Sequence, residues 1–105
     1  MPGVYTVTQM NSYIKNMFRQ DFVLSRISVK GEVSNCKYHT SGHIYFSLKD
    51  GQGVMSAIMF AGSAKNLEFR LENGMQVIVS GRIDVYERDG KYQLYANAIE
   101  ADGQG

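Results

Sequence analysis

Within the thirteen positions from 37 to 49 the sequence sets Lys37, Tyr38, His39, His43, Tyr45, Ser47 and Lys49. Cations that pair with phosphates, interleaved with flat rings on which bases stack, are the two ingredients of a surface for a single nucleic acid strand. Tyr86, Arg88 and Lys91 repeat the mixture further along, and Lys30, Phe60 and Arg82 complete the candidate contacts. Two other chemistries compete for the same residues. Cys36, His39 and His43 have a Cys-x2-His-x3-His spacing, but a fourth ligand is not evident and His43 falls where a strand should begin, so a structural metal is the weaker reading. Asp84, Glu87 and Asp89 gather acids, yet around an expected turn, where acids are common. Neither a Gly-rich phosphate loop ending in Lys-Ser or Lys-Thr nor a nucleophile elbow accompanies them. Catalytic residues are therefore not expected in this chain.

The bulk properties bound the reading. A chain of 105 residues accommodates one domain with one core. With 44% hydrophobic and 20% charged residues it reads as globular. Its apolar runs fall short of the roughly 18 residues of a spanning helix, and Met1-Pro2-Gly3-Val4 lacks the pattern of a secretory signal. A cytoplasmic location is expected, in agreement with the lone Cys36, which has no internal disulfide partner. A formal net charge of +1 is low for a nucleic acid binder, but the charge is segregated. Lys15, Arg19, Arg26, Lys30, Lys37 and Lys49 face only Asp21 and Glu32 in the first half, whereas acids outnumber bases from Glu68 to Asp102.

The elements that position these residues follow from periodicity. Thr6 with Gln9 has capping-box spacing, and Met10, Tyr13, Ile14, Met17 and Phe18 recur at intervals of three and four, which predicts an amphipathic helix over about 7–19. The period then becomes two. Ile27, Val29, Gly31 and Val33 form one face of a first strand, the loop Asn35 to Gly42 ends it, and Ile44, Phe46 and Leu48 form the inner face of a second. Asp50-Gly51-Gln52-Gly53 predicts a hairpin to a third strand, about Val54 to Phe60, whose inward phase is ambiguous, and Ala61 to Leu67 suits a short helix. A fourth strand carries Val77, Val79, Gly81, Ile83 and Val85. A fifth, Lys91 to Glu100, carries Tyr92, Leu94, Ala96 and Ala98 in one phase, with Tyr95 out of phase and Ala101 to Gly105 frayed. Gly31 and Gly81 suit the bends of a small barrel. A helix, three strands, a short helix and two strands is the order of the five-stranded OB-fold, an all-β Greek-key barrel, here with an N-terminal helix. Such barrels bind ligands on strands two and three and through the loops joining strands one to two and four to five, where the candidates above other than Lys30 and Arg82 lie. Pairing between copies at the edges of a partly open barrel is a further expectation.

Several ordered blocks resemble one family. Tyr5-Thr6-Val7-Thr8-Gln9-Met10-Asn11-Ser12-Tyr13-Ile14-Lys15, Val29-Lys30-Gly31-Glu32-Val33-Ser34-Asn35 and Ser41-Gly42-His43-Ile44-Tyr45-Phe46-Ser47-Leu48-Lys49-Asp50 look like the start of exodeoxyribonuclease VII large subunits. Met59-Phe60, Asn73 to Val77, Val79 to Ile83, Val85-Tyr86 and Tyr92-Gln93-Leu94 continue the likeness in order. The resemblance implies an N-terminal OB-fold domain that presents single-stranded DNA to a downstream nuclease domain. It also implies a missing C-terminal region that engages small subunits, no cofactor in this segment, and a divalent metal only as an open question for the full-length hydrolase. Because fold alone does not decide function, a module for structured RNA or for a protein partner is the competing expectation.

Overall fold

Thr6 and Gln9 close the first helix at its start. The Thr6 hydroxyl accepts from the Gln9 N–H at 3.0 Å, and the Gln9 side-chain oxygen accepts from the Thr6 N–H at 2.9 Å, the reciprocal capping box that the spacing predicts. The computed structural model describes residues 3–102, and helix α1 spans Val7–Gln20. Asp21 leaves the helix in an extended conformation, and its carboxylate accepts the Leu24 N–H at 3.0 Å, which turns the chain toward the sheet.

Strands β1 Ile27–Tyr38, β2 Ile44–Lys49, β3 Val54–Met59, β4 Gln76–Tyr86 and β5 Lys91–Ala101 follow, with the single helical turn α2, Ala61–Ala64, between β3 and β4. They close a barrel in the order β1-β2-β3-β5-β4, so the five-stranded OB-fold expected from element order is observed. β1 makes the corner: Ile27 to Glu32 pair with β4, and Glu32 to Tyr38 pair with β2. The change of partner occurs beside Gly31, where a Cβ would come within 3.0 Å of the Lys49 carbonyl oxygen. Gly81 is tighter still, since a Cβ there would land on the Tyr95 carbonyl oxygen. The core comprises inward side chains of all five strands, among them Val33, Phe46, Met59, Val79 and Leu94, joined by Leu71 from the segment before β4.

Three strand details differ from expectation. The loop predicted at Asn35 to Gly42 is shorter, because β1 continues to Tyr38 through a bulge between Ser34 and Lys37, with Asn35 at φ 50°. Asparagine tolerates that left-handed backbone better than most residues. The expected phase of β5 holds for Leu94 and Ala96 but breaks at the irregularity opposite Ser80 and Gly81, so that Ile99 is buried and Ala98 is exposed. Ala101, expected to fray, pairs with Val77; positions 103–105 lie outside the described residues. The predicted helix Ala61 to Leu67 is helical only to Ala64.

The phase that Tyr92 shares with Leu94 predicts a core position, but Tyr92 is exposed. The β4–β5 ribbon runs past the part of β4 that β1 covers. There the Tyr92 ring meets Phe18 of α1, centroids 6.3 Å apart.

Helix α1 covers the β4 edge that β1 leaves unpaired. The Leu24 carbonyl accepts the Ile83 N–H at 2.8 Å, Lys15 Nζ donates to the Val85 carbonyl at 2.8 Å, and Asn11 donates to the Glu87 carbonyl at 3.0 Å. Buried backbone polar groups need partners, so the helix and the turn after it dock through polar groups, with Phe18 and Leu24 packed against the core beside them. No helix among the described residues is long and apolar enough to cross a membrane.

Candidate nucleic-acid interface

Directly opposed residues on neighbouring strands point to the same side of a sheet. Lys37 is opposite Tyr45, Tyr45 opposite Ile58, Ile58 opposite Tyr95, and Tyr95 opposite Arg82. One register row therefore crosses all five strands on the outside of the barrel, with a cation at each end and two aromatic rings between. At a strand spacing of about 4.8 Å the row is about 19 Å long. Ile58 is buried although it faces away from the core cluster.

The loop side of the row carries more rings. His43 and Phe60 meet edge to face at 5.2 Å, Phe60 and Tyr95 are 5.9 Å apart, and both His39 and His43 approach Tyr45 edge-on at 6.2 and 6.5 Å. Tyr45 and Phe60 remain 42% and 46% exposed, which leaves ring surface for a ligand. Arg82 lays its guanidinium over the Tyr95 ring at 4.5 Å, and Gln93 donates to the Tyr95 hydroxyl at 2.9 Å. The histidines are oriented by their hydrogen bonds. His43 Nδ1 accepts the Ala61 N–H at 2.9 Å, and His39 Nδ1 accepts the Ser41 N–H at 3.0 Å. In each neutral ring the proton therefore sits on Nε2.

The remaining candidates are not gathered there. The Tyr38 hydroxyl donates to the Leu71 carbonyl at 3.0 Å and accepts the Leu71 N–H at 2.8 Å, while Arg70 covers its ring at 4.3 Å. Tyr38 thus fastens the segment before β4 to the barrel. Ser47 lies opposite Ser34 and Ser56, and Lys49 faces Glu32 at 4.0 Å. Lys30 is exposed opposite Ile78. Tyr86, Arg88 and Lys91 are in and beside the β4–β5 turn, next to α1.

Two of the six basic residues of the first half serve that attachment. Lys15 and Arg19 lie 3.3 and 3.5 Å from the buried Asp84 carboxylate, which Arg82 also approaches at 3.5 Å. Burial pushes the Asp84 carboxyl up, but the Val85 N–H, the Lys15 hydrogen bond and the charges of Lys15 and Arg19 outweigh it, and the net displacement is below the usual carboxylate value. Glu87 accepts from the Ser12 hydroxyl at 2.8 Å. These acids hold the helix, which is a different task from activating water. Cys36, His39 and His43 face different partners: burial raises the Cys36 thiol pKa, and Cys36 Sγ contacts the Leu71 carbonyl. No three His, Cys, Asp or Glu side chains come together to hold a metal among the described residues.

The family model described as an OB-fold nucleic acid binding domain matches residues 5–100. The chain is 67% identical over 105 residues to the exodeoxyribonuclease 7 large subunit of Lachnoclostridium phytofermentans, covering all of this chain and 26% of that protein. It is 54% identical over 100 residues to that of Clostridium botulinum strain Okra, covering 95% and 25%. The chain thus spans about a quarter of the length of these curated relatives. Among solved structures, a replication protein A heterotrimer bound to single-stranded DNA superposes with a TM-score of 0.61 at 16% identity, over 77% of this chain and 60% of that one. The Schizosaccharomyces pombe Stn1–Ten1 complex gives 0.61 at 18% identity, over 75% and 59%. At such identities these likenesses speak for the fold alone.

Proposed function

We propose, on the premise that this chain belongs to the family of OB-fold nucleic acid binding domains, that it holds single-stranded DNA across the Lys37–Tyr45–Ile58–Tyr95–Arg82 row. In this reading it presents the strand to the nuclease region of an exodeoxyribonuclease 7 large subunit. The register row is the observation that carries the reading, because it sets together what a single strand needs: cations for phosphates at its two ends and rings for bases between them. Lys37 and Arg82 neutralise phosphates at the two ends, Tyr45 and Phe60 offer stacking faces, and the Nε2–H groups of His39 and His43 supply donors for phosphate or base oxygens. Cleavage into oligonucleotides, contact with small subunits and any divalent metal belong, in this reading, to the parts of the large subunit that the chain does not span. A bacterial cytoplasm is the compartment that such work requires.

Fluorescence anisotropy of a labelled strand, in competition with duplex DNA and structured RNA, tests the proposal. Binding should be weak and sequence-tolerant, and single strands should compete best. If about three to five phosphates are neutralised, the slope of log affinity against log salt should lie near −2 to −3.5. Affinity unchanged between low and moderate salt would remove the phosphate-tracking model, and preferential capture of structured RNA would favour the competing module.

A further inference from the structure

We propose, on the premise that the row above holds the strand, that the cavity between the end of α1 and Arg82 binds a phosphate group of that strand, with Arg19 as its second guanidinium. The cavity measures about 270 Å³ and is lined by Phe18, Arg19, Ser25, Arg82, Ile83 and Asp84. Pockets for drug-sized ligands run from about 300 to 1,000 Å³, so this one suits a small group better than a base. It adjoins the Arg82 end of the register row and lies outside the strands and loops through which OB-folds commonly bind.

Charge sets this cavity apart. Lys15 Nζ, Arg19 Nε and Arg82 Nη1 all approach the same oxygen, Oδ2 of Asp84, at 3.3, 3.5 and 3.5 Å. The other oxygen of that carboxylate accepts the Val85 N–H at 2.8 Å. One carboxylate thus stands against three cations, and no other carboxylate among the described residues pairs with any of them. Asp21 is turned to the Leu24 N–H and Glu87 to the Ser12 hydroxyl. The cluster keeps an excess of positive charge beside the apolar walls of Phe18 and the buried Ile83, where a charge is screened less than in open water.

The spacing of the donors suits a phosphate. Arg19 Nε and Arg82 Nη1 each lie 3.5 Å from one oxygen, so they are no farther apart than twice that distance. A phosphate that meets each nitrogen at about 2.8 Å, through two of its oxygens, spans such a gap. Lys15 is 18% exposed and tied to the Val85 carbonyl, so it supplies charge from behind, whereas Arg19 and Arg82 are 61% and 46% exposed. Each arginine reaches Asp84 through one nitrogen and keeps further N–H donors for a ligand. A terminal phosphate monoester carries about −1.5 to −2 charges at pH 7 and matches the excess of three cations over one carboxylate better than an internal phosphodiester does.

Two readouts test the pocket, and the first does not involve the row. Inorganic phosphate added to the labelled chain at constant ionic strength should shift the Nε–H resonances of Arg19 and Arg82 saturably, and chloride should not. A response to phosphate no larger than that to chloride overturns the proposal. In the anisotropy assay Arg19→Gln should bind the strand about tenfold more weakly, the size of one hydrogen bond to a charged group. Its salt slope should be flatter by about 0.7, the share of one phosphate on a single strand. Its melting temperature should stay within a few degrees, because Arg19 is largely solvent-open. Lys65→Gln removes the same charge from an exposed position after α2 and should leave the slope as it was. A slope unchanged in Arg19→Gln, or flattened equally by both substitutions, overturns the proposal. Full-strength binding by Tyr45→Ala, with the loss at Arg19 kept, would remove the row and leave the pocket. Strands ending in phosphate or in hydroxyl identify the group that enters. A gain from the terminal phosphate that Arg19→Gln abolishes assigns the pocket to a strand end, and an equal loss for both strands assigns it to an internal phosphodiester.

Discussion

Replacing Asp84 with asparagine removes one charge from the point where helix and barrel are joined. The carboxylate is 6% exposed at its side chain and Lys15 18%, whereas Arg19 and Arg82 are 61% and 46% exposed. Taking one partner from a fully buried ion pair costs about 3–5 kcal/mol. Lys15 keeps the Val85 carbonyl, the amide oxygen retains the Val85 N–H as donor, and each solvent-open arginine loses only about 0–1 kcal/mol. The net cost should be about 2–3 kcal/mol, or a fall in melting temperature of about 10 °C at about 4 °C per kcal/mol for a domain of this size. The substitution should also change the response to acid. Because the folded-state pKa of Asp84 lies below its ordinary value, its contribution to stability is present above about pH 3.9 and is lost as pH falls through the lower, folded value. Melting of both proteins from pH 7 downward should therefore show the gap narrowing in acid. A variant that melts with the parent at neutral pH, or a gap that stays constant into strong acid, would refute the account of the joint.

On β2, Tyr45→Ala should weaken single-strand binding by about 1–3 kcal/mol, the loss of one stacked base, with melting unchanged. Phe46→Ala should lower stability by about 3–5 kcal/mol, since Phe46 is buried and Tyr45 is not; thermal melts showing the reverse would invert the strand faces. Arg82→Lys keeps the charge and loses the flat guanidinium over Tyr95. Anisotropy should show weaker binding with an unchanged salt slope, whereas affinity and slope both unchanged would make Arg82 a point charge for phosphate only.

Local signals carried the fold far. The capping box, the alternation of β2 and the Asp50–Gly53 turn, where Asp50 Oδ1 accepts the Gln52 and Gly53 N–H groups at 2.9 Å, all depend on neighbours in sequence. Tyr45, His43, Phe60 and Lys37 were legible as candidates for the same reason, as residue types in an outward phase or a loop. The place of Tyr95 in the row was not, because it depends on the parallel pairing of Ile58 with Tyr95, which joins strands far apart in the chain. The burial of Ile58 depends on the same pairing. Periodicity correctly found the apolar stripe of α1 but could not show which side would dock. That was decided by backbone groups of β4, which any sequence with a free edge there would present.

The central claim is a location, so chemical-shift mapping of the labelled domain with a short oligothymidine tests it most directly. Amides of Lys37, Tyr45, Ile58, Tyr95 and Arg82 should move together, with His43 and Phe60 beside them, and the stripe of α1 should stay still. Perturbations gathered instead at Tyr86 to Lys91, or confined to the segment before β4, would contradict the row as the path of the strand.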